Sequence, residues 1–220
     1  MIELKGLSKT YTILGNVIKA VQTLDLTVQQ GDFISIVGHS GSGKSTLLSL
    51  IGGIARPDTG TVSVDEANIW GYNDSGLSRL RNEKFGFIYQ FASLIPTLSA
   101  TENVLLPTVF GRKRTADDAV HLLQLVGLGD KIDRYPAELS GGEQQRVAIA
   151  RAFINSPEII LADEPTGDLD EQTDAEIMEF IEKTNKEKKV TMIMVTHSSE
   201  IALRAEKRFR MKQGILEKLN

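Results

Sequence analysis

Gly38-His39-Ser40-Gly41-Ser42-Gly43-Lys44-Ser45 stands between Phe33-Ile34-Ser35-Ile36-Val37, a short apolar and β-branched run, and Ser45 to Ile51, a stretch with helical patterning. The spacing fits G-x-x-x-x-G-K-S/T, and the flanks are the buried parallel strand and the helix that such a loop joins. Glycines at these positions let backbone N–H groups wrap an anion, and the helix N-terminus adds a favourable dipole. In that arrangement Lys44 reaches the outer phosphates of a nucleotide and the Ser45 hydroxyl ligates Mg²⁺. The motif therefore predicts phosphate binding by Gly38, His39, Ser40, Gly41, Ser42, Gly43, Lys44, Ser45 and the following Thr46. A tight glycine turn is the plainer alternative, but such a turn has no use for Lys44-Ser45 at the helix start.

The 220 residues, 41% of them hydrophobic, suffice for one sizeable core or one domain carrying a subdomain. With 25 Lys and Arg against 29 Asp and Glu, the net charge of −4 offers no basic surplus for non-specific nucleic-acid binding. The absence of cysteine removes disulfides, thiolate metal sites and cysteine nucleophiles. Met1 to Gly6 contains no apolar signal core, and no run approaches the ~18 apolar residues of a membrane span, so a soluble chain is expected.

Before the loop, Ile2-Glu3-Leu4, Val17 to Val21 and Leu24 to Val28 alternate and are broken by Gly6, Gly15 and Gly31, the pattern of antiparallel strands. Arg56-Pro57-Asp58-Thr59-Gly60 is turn chemistry leading into another alternating run, Thr61 to Asp65, and this β material is expected on the base-binding side of the loop. From about Ser99 to Phe153 the pattern is largely helical, with a helix over Ala116 to Val126 ended by Gly127-Leu128-Gly129. A strand at Ile159 to Ala162, a helix from Glu171 to Lys183, a polar break from Asn185 to Lys189 and a last buried strand at Val190 to Val195 complete the reading. Strands alternating with helices around a phosphate loop predict an α/β fold with a parallel sheet and a helical insertion.

Asp163 ends the apolar run Ile159-Ile160-Leu161-Ala162, the form expected of an acidic strand that holds Mg²⁺ beside a phosphate loop. Glu164 follows at the same strand edge, where a carboxylate polarises water for in-line attack on a γ-phosphate. Alone, Asp163-Glu164-Pro165-Thr166-Gly167 also reads as a solvated turn. His197 closes the last strand, within reach of a γ-phosphate oxygen or simply as surface decoration.

Leu139-Ser140-Gly141-Gly142-Glu143 is where the chain resembles the ABC ATPase family, whose signature is LSGGE. Ser140 with Glu143 three residues on also spells an ordinary capping box. In the family, Ser140, Gly141, Gly142 and Glu143 correspond to a second anion nest that contacts the γ-phosphate held by another copy's phosphate loop. The resemblance thus implies ATP as substrate and an ATP-dependent head-to-tail homodimer. It further implies that Tyr11 stacks on adenine, that Gln90 touches Mg²⁺ and the attacking water, and that Leu169-Asp170 crosses the dimer interface. Glu164 and His197 correspond to the catalytic glutamate and the switch histidine, working with Lys44 and Gln90, while Ser45, Gln90 and Asp163 form the Mg²⁺ set. The implied fold is a P-loop NTPase core of RecA type, approximately residues 1–90 and 155–220, with an antiparallel β subdomain and an inserted helical subdomain at 91–154, all one domain.

The wording from Phe87 to Val104 and from Arg134 to Gly142 resembles the bacterial LolD/MacB/FtsE group, stand-alone ATPases that work on a separately encoded membrane permease. Membership implies a cytoplasmic protein peripheral on the inner face of the plasma membrane, driving export or extraction of lipoprotein, peptide or drug. A regulatory FtsE-like ATPase controlling cell-wall hydrolysis is the alternative within the group. A soluble ABC ATPase acting on nucleic acid is the alternative outside it. Against the latter, fewer than a hundred residues separate Lys44 from Ser140 with no heptads between, and only one motif set is present, so no nucleic-acid partner is expected. Permease docking is expected on Phe91 to Thr108, with Phe91, Leu94, Ile95 and Leu98 as apolar candidates. Gly111-Arg112-Lys113-Arg114 reads as a solvated basic loop or a lipid-facing one.

Overall fold

In the computed structural model, which describes residues 1–111, 113–167 and 171–219, the chain opens as a long hairpin. Strand β1 (Ile2–Ile13) turns at Leu14-Gly15 into β2 (Asn16–Val28), both longer than the broken segments expected from the sequence. Leu14 and Gly15 have φ of 49° and 80°, the two-residue turn whose twist matches the strands it joins. Irregularities in register between Leu4 and Thr10 absorb the break at Gly6 without ending the strand. Next come β3 (Phe33–Val37), α1 (Lys44–Ile51), β4 (Thr59–Val64) and the short β5 (Ala67–Asn68). β4 pairs antiparallel with β1, giving a four-stranded sheet ordered β2-β1-β4-β5.

Helix α2 (Asp74–Lys84), capped by the Asn73 side chain, delivers β6 (Phe85–Ile88). The helical stretch then contains α3 (Ala100–Leu105), α4 (Ala116–Leu125) and α5 (Gly141–Phe153). Each begins at a capping box, Ser99 with Glu102, Thr115 with Asp118 and Ser140 with Glu143, worth about 1 kcal/mol apiece. Gly127, at φ 72°, closes the turn after α4 as the sequence suggested.

The remaining elements are β7 (Ile159–Asp163), α6 (Glu171–Lys188), β8 (Thr191–Thr196), α7 (Ser199–Ala202), β9 (Lys207–Lys212) and β10 (Ile215–Lys218). The structure departs from the sequence pattern at two places. The polar stretch from Asn185 does not break the helix, because the buried Asn185 amide donates to the Gly31 and Val190 carbonyls and anchors the last turn; the chain turns only at Lys189, with φ 55°. Nor is β8 the last strand. β9 pairs parallel with β3, and β10 returns antiparallel through a Gln213-Gly214 turn. The alternation of charge in Lys207-Arg208-Phe209-Arg210-Met211-Lys212 hides that strand from a search for continuous apolar runs.

The six-stranded sheet is ordered β10-β9-β3-β8-β7-β6 and parallel except at β10. Alternate residues of each central strand feed opposite faces. Ile193 and Val195 pack with Leu47, Leu50 and Ile51 of α1, and Met192 and Met194 pack with Val147 and Phe153 of α5. Both faces are covered, which is why these strands read as unbroken hydrophobic runs. The architecture is therefore α/β, with a mainly parallel sheet, an antiparallel sheet and a helical group between β6 and β7. The C-terminal ends of β3, β8, β7 and β6 lie along one edge, and the loops that follow them form the crevice typical of such sheets.

Candidate active site

The loop after β3 is shaped by close backbone approach. A Cβ on Gly38 would stand 2.3 Å from the Met211 carbonyl oxygen, and one on Gly43 would stand 2.0 Å from that of Ala20. Gly43 also has φ 105°, so only glycine suits a turn pressed between β9 and β2. Lys44 is 7% exposed and its Nζ donates to the carbonyls of Gly38 (2.7 Å) and His39 (3.2 Å). The ammonium thus braces the loop at the start of α1. No side chain caps α1, and the buried Ser42 Oγ has no hydrogen-bond partner among the described residues. Free first-turn N–H groups, an orphaned hydroxyl and a buried ammonium fit the phosphates of a nucleotide.

A cleft of about 380 Å³ opens over this loop. It is lined by Ser40 to Thr46, by Asp163, Glu164 and His197 from the ends of β7 and β8, by Gln90 after β6, and by Tyr11, Ile13, Ile18 and Ala20 from the hairpin. The structure thereby gathers most of the residues expected from the sequence. Gly38 and His39 lie behind the lining, in contact with Lys44 through their carbonyls. Ile13 and Ile18 form apolar walls that the sequence reading missed. Their signal was the hairpin register, in which Tyr11 faces Ile18.

Asp163 ends β7, where its side chain meets the Ser45 hydroxyl. Burial pushes its carboxyl above the usual range and the neighbouring Glu164 adds to this, while the Ser45 hydrogen bond and the Lys44 charge oppose it. A carboxylate held this way gains from a nearby cation. Glu164 takes φ 48°, an uncommon conformation for a residue with a side chain, and its N–H donates to the Val195 carbonyl (2.9 Å). Its Oε2 accepts from the His197 backbone N–H (3.1 Å) and lies 2.9 Å from His197 Nδ1. The turn therefore points a nearly buried carboxylate into the cleft and fixes it against the end of β8.

Ser140, Gly141, Gly142 and Glu143 do not line this cleft. Ser140 and Gly141 are exposed at the start of α5, with open space where a Gly141 side chain would be. Glu143 Oε2 accepts from the Ser140 N–H (2.8 Å), while Oε1 is bound by Lys131. Lys131 and the Ser140 N–H together hold the Glu143 carboxyl down at about 2. Because this pKa is depressed in the folded chain, the stabilisation is present above the ordinary carboxylate value and is lost as pH falls toward 2. Glu143→Gln is expected to cost on the order of 1–2 kcal/mol at pH 7, and the gap in melting temperature from the native chain should close between pH 4.5 and about 2. Leu169-Asp170 and Arg112 lie outside the described residues.

A family model described as ABC transporter matches residues 21–167. The chain belongs to the ABC transporter family. It is an ATPase cassette of that family, with the P-loop NTPase fold expected from its motifs. The lipoprotein-releasing system ATP-binding protein LolD of Cytophaga hutchinsonii is 42% identical over 211 residues, covering 94% of this chain and 94% of its own length. The macrolide export ATP-binding/permease protein MacB of Rhodopirellula baltica is 38% identical over 98% of this chain, which spans only 32% of that longer protein. The dimeric structure of the cassette MJ0796 of Methanocaldococcus jannaschii superposes with a TM-score of 0.94 at 40% identity, covering 100% of this chain and 99% of that one. The same cassette has been solved in a post-hydrolysis state bound to ADP and Pi with the same TM-score.

Proposed function

We propose that this chain is the ATP-hydrolysing subunit of a membrane complex whose permease is a separate chain of MacB, LolD or FtsX type, and that ATP closes two copies head to tail. The observation that carries this reading is the division of the site. One cleft holds the loop, Asp163, Glu164 and His197, while the exposed nest at Ser140 and Gly141 lies outside it and is free to meet a second copy. The related cassette MJ0796 is dimeric, which supports pairing of two copies.

In the closed pair, Tyr11 stacks on adenine between Ile13 and Ile18, and the loop N–H groups and Lys44 hold the phosphates. Mg²⁺ suits the hard oxygen set of Ser45, Gln90 and Asp163, where it would offset phosphate charge. Glu164 takes the proton of the attacking water, whose oxygen bonds to the γ-phosphorus as the bridge to ADP breaks. His197, hydrogen-bonded through Nδ1 to Glu164, holds the carboxylate in the orientation this requires. Asp170 joins from across the interface.

The permease is proposed to seat in a groove of about 800 Å³ beside Gln90, walled by Tyr89, Leu106, Pro107, Phe110, Arg151 and Ile54 among others. Of the apolar docking candidates expected from the sequence, none lines this groove: Phe91 and Ile95 are exposed, Leu94 packs on the core and Leu98 is half-buried. No helix of the described residues is long and apolar enough to cross a membrane. The names of the LolD and MacB relatives support a lipoprotein or a macrolide-like drug as cargo. Detergent extraction of the tagged chain should capture one permease. Phe110→Asp, at a side chain 81% exposed, should lose it while ATPase activity of the isolated chain stays within about twofold. Equal capture by the variant, or none by the native chain, contradicts this docking.

A further inference from the structure

We infer that Gln145 is a positioning residue for hydrolysis, tying the segments that carry Gln90 and Glu164 to the helix that begins at Ser140. The inference rests on the roles proposed above for Gln90 and Glu164. Gln145 lies in the second turn of α5 and is 3% exposed. Its Nε2 donates to the Tyr89 carbonyl (2.8 Å) and to the Pro165 carbonyl (3.1 Å). Tyr89 immediately precedes Gln90, and Pro165 immediately follows Glu164. One side-chain amide therefore uses both hydrogens to join two chain segments that lie beyond the ends of β6 and β7.

A second link runs along the same helix. Arg151 donates to the carbonyls of Ala92 (2.7 Å) and Ser93 (3.0 Å), so the segment around Gln90 is held to α5 on both sides. α5 is a continuous helix between these anchors, with Ser140 at one end and the groove beside Arg151 at the other. Any shift of α5 when its Ser140 end meets the other copy's nucleotide is carried through the Gln145 amide to both reacting-side residues together. Gln145 touches no reacting atom; it sets where Gln90 and Glu164 stand relative to each other. Without the shared donor the two segments would move independently, and the buried Pro165 carbonyl would lose its partner.

Gln145→Met fills nearly the same volume and removes both donors. The result expected is a kcat for ATP lowered about tenfold with KM changed by less than about twofold, since the loop that binds phosphate is untouched. Combined with Gln90→Ala, it should lower kcat by no more than about twofold beyond Gln90→Ala alone, because the placement of Gln90 relative to Glu164 has no further effect once the Gln90 side chain is gone. If Gln145→Met does not fold, Gln145→Asn, whose shorter stem cannot span both carbonyls, carries the same two measurements. A folded variant with native kcat, or a loss that multiplies fully with that of Gln90→Ala, overturns the role given to Gln145. Full turnover in Glu164→Gln would instead overturn the site reading itself, and the Gln145 proposal with it.

Discussion

Glu164→Gln should lower ATP turnover by about 10²- to 10⁴-fold while ATP affinity stays within a few fold of native. The amide is nearly isosteric, so the turn at φ 48° and the backbone bond from His197 survive, but it accepts no proton from water. The His197 backbone N–H keeps the amide oxygen at the Oε2 position, so His197 Nδ1 faces that oxygen and not the NH₂ group. Single-turnover and steady-state assays separate the outcomes. Loss of kcat with binding retained is the signature of a base that acts only as the reaction proceeds. Native turnover would remove Glu164 from the chemistry.

Lys44→Ala should act earlier in the cycle, weakening ATP binding by roughly 10²-fold or more and abolishing measurable turnover at ordinary substrate concentration. Two losses combine. The charge that meets the outer phosphates disappears, and the bonds to the Gly38 and His39 carbonyls that brace the loop go with it. Arginine should not rescue function, because a planar guanidinium cannot take the place of a compact ammonium at a site 7% exposed. Titration with a fluorescent ATP analogue checks this, and a thermal melt shows whether the fold survives. Native affinity in a folded variant would break the assignment of the loop.

These two residues were legible early because their motifs are contiguous in sequence and tied to a strand end, so local pattern and tertiary placement agree. Asp163 was legible for the same reason, whereas His197, a lone histidine at a strand end, was singled out only by the family resemblance. The missed features depend on pairing between distant segments. β9 lies beside β3 although its sequence alternates charge with Phe209 and Met211, and the hydrophobic walls Ile13 and Ile18 follow from hairpin register rather than from any motif. Asn185 read as a break because polar residues end helices on average, and only the carbonyls of Gly31 and Val190 reveal it as an anchor. The groove beside Gln90 draws on α2, β6, the segment after α3 and α5, a combination no local pattern announces. The signature run was visible, but a capping box and an anion nest share the same letters. In the folded chain Ser140 is indeed a cap, and it is also exposed, as the second role proposed for it requires.

That partnership is the centre of the account, and sedimentation velocity of Glu164→Gln tests it most directly. With ATP the variant should sediment as a dimer, and without nucleotide as a monomer. Adding Ser140→Arg should leave the double variant monomeric in ATP even though its own cleft still binds the nucleotide. A double variant that still dimerises with ATP, or a Glu164→Gln chain that binds ATP and remains monomeric, would contradict a site completed by the second copy.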